Sequence, residues 1–491
     1  MNDPNRTFRL ILYDALASEA MGTLTTGVFL VGYALALGAS NFAIGVLAAV
    51  PFAVQFLQVP AVALVEKLRV RRLIATWAAG IGRCFLISAA AAPLFGASVA
   101  IPILVVSIAL YQALAAVAGC AWNSWMRDLV PEAEFGRFFG RRSAATTALA
   151  TTLALSCGLL IDKWKQHLPN HPSLAYSALF LLSAAIGMVG VWLLSITPDL
   201  PMPETTERTP IFRLLAAPFR DPNFRRLMVF LSSWNFAVNL AAPFFTVYML
   251  KTLGYPLATV IVLTTTSQLS NLAALGVWGS LIDRFSNKAV LRVSSPMFLL
   301  CTLAWSFTGV PWLQPALLYL LFALHILMGI ATAGVALASG NVAMKLSPPG
   351  QATAYLAASG VMSASCAAVA PVLGGLAADF FAAHELTLAF TWKGALNEVT
   401  VPVLYFHAWT FYFGLASVIG LYSLYRLTFV DEVAGSANPL QVRDLLLEAR
   451  RSLHSLSSAA GVLRVVRILP WTVRPQATRP RVVAAHRTDA A

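Results

Sequence analysis

The chain has 491 residues, of which 58% are hydrophobic and only 11% charged, with a mean hydropathy of +0.73. A soluble protein carries about 25% charged residues, so a soluble fold is excluded, and the many apolar stretches of ~20 residues mark a polytopic membrane protein. The net charge of +13 sits almost entirely in loops of one side, which makes it a topology signal and argues against a nucleic-acid partner.

Helices are the expected spanning elements, because the backbone must satisfy its own hydrogen bonds in lipid and no alternating barrel pattern is present. The first span, 9–36, is too long for a signal-peptide core and lacks a small-residue cleavage site, so it is expected to remain in the mature protein. It holds Glu19 about ten residues from its start, ~15 Å deep. Thr23, Thr26 and Tyr33 follow at i+4, i+7 and i+14 as one polar stripe. An ionisable side chain at mid-depth costs at least ~2.5–3.5 kcal/mol. Two readings of Glu19 stay open: a proton-coupling carboxylate, or half of an intramembrane ion pair with Arg83 at similar depth in the third span (73–92). Asp14, nearer the inner surface, reads as a gate or solvated residue. The second span, 42–65, contains Gln55 and Gln58 and leads into Glu66, Lys67 and Arg71. The fourth, 98–126, offers Tyr111, Gln112 and Asn123, and leaves the membrane at Arg127 and Asp128 in SWMRDLVPEAEFGRFFGRRS. The fifth and sixth are 143–161 and 174–196.

Residues 197–223, rich in proline and arginine, read as a cytoplasmic linker. It joins a first six-helix bundle, 1–196, to a second, 224–430. The later spans are expected over 225–250, 257–281, 290–309, 314–344, 351–380 and 405–428. Ser232, Asn235, Asn239 and Thr246 form a polar stripe on the seventh, and Thr264, Gln268 and Asn271 form another on the eighth. On the tenth, Thr332 and Ser339 share a face with His325. All are candidate cavity-lining residues, with hydrogen bonds between packed helices as the competing reading. His325 can titrate near neutral pH and is a second candidate for proton coupling, against an ordinary packing role. Residues 381–404 are expected as an external loop forming a short hairpin, since LTLAFTW and VTVPVLYF are β-branched and aromatic around KGALNE. The cytoplasmic tail, 431–491, contains an amphipathic helix with Val442, Leu446, Ala449 and Leu453 on one face.

The halves repeat each other. Shifted by about 217 residues, Arg71 falls on Lys288, Gly158 on Gly375 and Asp162 on Asp379. Two parallel repeats related by an axis along the membrane normal are one known transporter build. With the N-terminus inside, the only loop lysines or arginines left outside are Lys163, Lys165, Lys251 and Lys393. That bias places both termini in the cytoplasm, here of a bacterial-type inner membrane. The five cysteines, Cys84, Cys120, Cys157, Cys301 and Cys366, lie within spans without CxxC spacing and read as packing residues. No Walker A, zinc, nucleophile-elbow or GxGxxG pattern occurs, so no enzyme activity, cofactor or metal is expected.

GSLIDRFSNKAVL, from Gly279 to Leu291, resembles the G-x-L-x-D-R-x-x-[RK] signature of the major facilitator superfamily. ALVEKLRVRRLI, from Ala63 to Ile74, is its degraded first-half counterpart. The resemblance implies an all-α fold of 12 transmembrane helices in two pseudo-symmetric six-helix bundles around a central cavity, opened alternately to each side. It also implies a cytoplasmic gate of Asp283, Arg284 and Lys288 with Glu66, Lys67, Arg71, Arg127 and Asp128. APVLGG, from Ala370 to Gly375, resembles half of the GPxxGG element of drug–proton antiporters, but the fifth span lacks the proline and the fourth the usual arginine. The expected function is secondary active transport of a small solute by a monomer in contact with membrane lipids, with the proton as coupling ion. An uncoupled facilitator and a transporter-fold assembly factor or receptor stay open.

Overall fold

The computed structural model describes residues 4–199, 217–348, 351–384, 386–393, 398–406 and 408–432. The expected tail helix and most of the linker lie outside them. In the first half are α1 (Pro4–Thr25), α2 (Gly27–Ala36), α3 (Asn41–Ala53), α4 (Gln58–Leu68), α5 (Arg71–Ala91), α6 (Ala97–Leu129), α7 (Glu132–His167) and α8 (Pro172–Ser195). In the second are α9 (Pro222–Val247), α10 (Leu257–Arg284), α11 (Asn287–Trp305), α12 (Leu317–Leu346), α13 (Ala352–Ala382) and α14 (Ala408–Thr428). Among the described residues, nine segments are long and apolar enough to cross a membrane, and the pair α3–α4, bent by 44°, is a tenth. The shorter α11 and α14 occupy the two remaining positions of a twelve-helix fold, and at 1.5 Å per residue each comes close to the ~30 Å of a hydrocarbon core. Between α13 and α14, β1 (Leu386–Lys393) pairs antiparallel with β2 (Glu398–Phe406).

Successive crossings alternate in direction, so the molecule has two ends. The terminal end holds the starts of α1 and α9 and residues 431–432. The hairpin end holds β1 and β2.

The first crossing is broken in its middle. The hydroxyls of Thr25 and Thr26 donate to the Met21 and Gly22 carbonyls at 2.8 Å, which satisfies the last turn of α1. Gly27 then adopts φ +56°, a left-handed conformation open to glycine at little steric cost, and α2 starts there within the same span, Arg6–Ala36. The second crossing bends where Pro51 and a 3₁₀ turn at Val54–Leu57 interrupt the α-helical ladder.

Lipid tails are as apolar as leucine, so association between helices in the bilayer depends on close packing and interhelical hydrogen bonds. The largest apolar cluster runs through both halves, from Leu24, Tyr33 and Phe180 to Phe244, Trp305 and Phe413. The Tyr33 hydroxyl donates to the Ala89 carbonyl at 2.9 Å and lies 3.1 Å from Ser177 Oγ, tying α2 to α5 and α8. Tyr33 therefore packs inside the first bundle and does not continue the polar stripe of α1. The break at Gly27 resets the helical phase on which that stripe depended.

Candidate functional site

A cavity of about 640 Å³ lies between the halves. On the first-half side it is lined by Glu19, Thr23, Thr26, Gln112 and Thr151, and on the other by Thr246, Thr264, Thr265 and Gln268. Glu19 is the one formal charge among the described lining residues, and it is exposed to the cavity. The break between α1 and α2 falls on the same wall, with Gly22, Thr26, Gly27 and Val28 all lining it.

Several expected lining residues lie elsewhere. His325 is buried, its Nδ1 lies 2.8 Å from the Leu321 carbonyl oxygen, and its ring packs edge-on against Trp305. It is absent from the lining of the central cavity, so it does not take the cavity face expected for it. Asn235 and Asn239 turn their amides back onto Leu231 O and Asn235 O at 2.8 Å. Thr332 likewise donates to Met328 O at 2.7 Å. Ser232 is buried, and neither it nor Asn271 lines the cavity. Tyr111 is buried beside Met21 and lines a separate side pocket. Ser18, Thr151 and Thr265 were missed. Ser18 lies one residue from Glu19, and the available signals were the i+3 spacing from Thr265 to Gln268 and the i+4 spacing from Thr147 to Thr151.

The Glu19–Arg83 ion pair is not formed. Arg83 is buried, and its guanidinium donates to the Gly187 carbonyl and, at 3.3 Å, to Ser18 Oγ. The acid beside it is Asp14, whose Oδ1 accepts from Ser18 Oγ at 3.5 Å. Asp14 is only 4% exposed, which also removes the solvated reading of that residue. Helix α8 makes room for the pair: a Cβ added at Gly190 would sit 3.3 Å from both Arg83 Nη1 and Asp14 Oδ1. Arg142 reaches into the same pocket and stacks 4.9 Å from the Trp122 ring.

At the hairpin end the repeat becomes a pair of cross-half contacts. Asp162, at the end of α7, accepts from the backbone N–H groups of Leu257 and Ala258 at 2.9 and 2.8 Å, capping α10. Its repeat mate Asp379, near the end of α13, accepts from Asn41 N–H, Phe42 N–H and Asn41 Nδ2 at 3.2, 2.9 and 2.8 Å, capping α3. A carboxylate on the positive end of a helix dipole is favourable by roughly 0.3–2 kcal/mol. The repeated glycines fit the same interfaces. A Cβ at Gly158 would lie 2.5 Å from Ile261 Cδ1, and one at Gly375 would lie 2.5 Å from the Asn41 carbonyl oxygen. Packing between the halves is concentrated on α2, α3 and α7 against α9, α10 and α13, whereas α1, α4, α5, α6 and α8 pack mainly within the first half.

At the terminal end the gate candidates pair within their own halves. Arg71, on α5, bonds to Asp128 and to the Ser124 carbonyl on α6. In the repeat these positions are Lys288 and Lys345, two like charges. Glu432, 4% exposed, stands between them. It accepts from Asn287 Nδ2 at 2.7 Å and Lys288 N–H at 2.7 Å, and lies 3.7 Å from Lys345 Nζ. Lys288 Nζ in turn donates to the Thr428 and Val430 carbonyls. Glu66, Lys67, Arg127, Asp283 and Arg284 are exposed.

The model of the Major Facilitator Superfamily matches residues 15–371 and 227–476. The chain belongs to the Major Facilitator Superfamily. Solved structures of similar fold agree with that membership. The nucleoside transporter NupG, as its D323A mutant, superposes with a TM-score of 0.65 at 11% identity, over 88% of this chain and 100% of that one. A bacterial homolog of the human lysosomal transporter Spinster, inward-facing and unoccupied, gives 0.60 at 14%, over 94% and 100%. A D-xylose–proton symporter gives 0.60 at 14%, over 87% and 97%. No curated protein sequence matches the chain. As a member of the Major Facilitator Superfamily it is a multi-pass membrane protein of the transporter fold.

Proposed function

We propose that the chain is a secondary active transporter that moves a small polar solute across a bacterial-type inner membrane by alternating access, with the proton as coupling ion. The observation that supports this reading is the hydroxyl- and amide-lined cavity between the halves. Its hairpin end carries the two repeat-related aspartate caps across the halves, while several first-half helices pack mainly within their own bundle. In this reading the excess of Lys and Arg puts the terminal end in the cytoplasm, and the conformation would be an inward-facing one. A cavity whose one formal charge among the described lining residues is Glu19 suits a neutral or cationic solute and disfavours an anion. The likeness to nucleoside and xylose transporters is compatible with a hydrogen-bonding solute of that size.

In this reading Glu19 accepts hydrogen bonds from the solute. Charge-assisted hydrogen bonds contribute about 1.5–3 kcal/mol, so Glu19→Gln is expected to raise the half-saturating concentration roughly tenfold to a hundredfold. Uptake of labelled uridine, D-xylose and a panel of neutral and cationic amino acids into proteoliposomes under an imposed pH gradient measures both points. Accumulation that follows the gradient supports coupled transport. Counterflow without accumulation selects a facilitator, and no flux of any solute removes the transport reading.

A further inference from the structure

We propose that the coupling proton is held by Asp14, in a side pocket of the first half, and not by the cavity acid Glu19, so that proton site and solute site are separate and joined by Ser18. The inference rests on the proton-coupled reading above. The side pocket, about 290 Å³, is lined by Asp14, Ser18, Arg83, Tyr111, Trp122 and Arg142, among others. Ser18 also lines the central cavity, and its hydroxyl lies within hydrogen-bond reach of both Asp14 and Arg83. One residue therefore touches solute space and the acid–base pair together.

The groups facing Asp14 come from every packed neighbour. Helix α5 presents Arg83 and α7 presents Arg142, which also interacts with Glu19 on Asp14's own helix. Helix α6 presents Trp122 to Asp14 and Tyr111 to Arg83. Helix α8 contributes Gly187, Gly190 and Leu194, none of which titrates. Two cations, Arg83 and Arg142, thus face one buried carboxylate. Arg83 already bonds to uncharged acceptors, Gly187 O and Ser18 Oγ, so neutralising Asp14 removes the electrostatic attraction that draws α1 toward it.

That attachment has a route to the hairpin end. Helix α1 continues through the break at Gly27 into α2, and α2 packs on α9 and α10 of the second half. Protonating Asp14 weakens the hold of the Arg83 side chain on α1, which otherwise packs on α7 and α8, and α2 transmits the shift to the interfaces capped by Asp162 and Asp379. The proton enters from the side pocket in the present state. It leaves on the hairpin side once that end has opened, and the pair re-forms after it has gone.

Hydrogen–deuterium exchange on the full chain in lipid nanodiscs, without solute, tests this. The amides of Asn41, Phe42, Leu257 and Ala258 are held by the two aspartates, so their exchange reports opening of the hairpin end. Taking the pH from about 8 to about 5, and correcting for intrinsic exchange, the wild-type rate at these amides is expected to rise by about fivefold or more. Asp14→Asn is expected to exchange fast at both pH values. Asp14→Glu should keep the response with a displaced midpoint, which decides the matter if Asp14→Asn does not fold. Glu19→Gln should keep the pH response whatever it does to solute affinity. The proposal is overturned by a preserved response in Asp14→Asn, an unmoved midpoint in Asp14→Glu, or a lost response in Glu19→Gln. A wild type that does not respond overturns the proton reading with it, whereas a response in wild type and Asp14→Asn alike overturns only the assignment to Asp14.

Discussion

Replacing both Asp162 and Asp379 by alanine is expected to open the hairpin end. Each carboxylate satisfies N–H groups at the start of a helix in the opposite half, and losing such a cap costs about 0.5–2 kcal/mol. The two sites lie on different interfaces and share no partner, so their effects should add. A combined change of about 1–4 kcal/mol shifts a two-state equilibrium by roughly fivefold to several hundredfold. Pulsed electron–electron resonance with one spin label per half reads the outcome. The hairpin-end distance should lengthen and the terminal-end distance shorten in the same molecules. If the hairpin end lengthens with the terminal end unchanged, the caps are local supports and not part of a reciprocal switch.

The second large effect is expected at Arg83. Removing one member of a buried charge pair costs up to about 3–5 kcal/mol; Asp14 and Arg83 are 4% and 5% exposed, and without Arg83 the carboxylate keeps only the half-buried Arg142 beside it. Arg83→Leu should therefore lower the thermal midpoint of the detergent-solubilised protein markedly. The double variant Asp14→Leu with Arg83→Leu should recover much of the loss, because it leaves no buried charge. Equal destabilisation by the single and double variants would show that Arg83 acts through packing against Gly187 and Met21 alone.

The fold was legible from the amino acids, because ~20-residue apolar runs, loop charge and an internal repeat are one-dimensional signals. The repeat even matched Asp162 with Asp379 and Gly158 with Gly375. It could not show that each aspartate caps a helix of the other half, because a repeat says which positions are equivalent and not which are neighbours. The site was legible in part for a related reason. Depth along a helix places Glu19 and Arg83 at the same level, but rotation decides the partner. Asp14 and Glu19 differ by about 140° around α1, so Asp14 and Ser18 share the face toward α5 and α8 while Glu19 looks into the cavity. The small residues Gly187 and Gly190 on α8, spaced to admit a guanidinium, were the available signal. His325 failed in the same way, since its helix also has a buried face that accepts a histidine bonded to its own turn.

Alternating access requires that sealing the hairpin end stops transport. Gly158→Cys with Ala258→Cys, in a chain with Cys157 replaced by alanine, tests this, because a Cβ at Gly158 would lie 3.4 Å from Ala258 Cα, close enough for a disulfide to span. Proteoliposome flux of the solute panel should fall to the lipid background when the cysteines are oxidised and return on reduction. Undiminished flux through fully cross-linked protein would contradict the account.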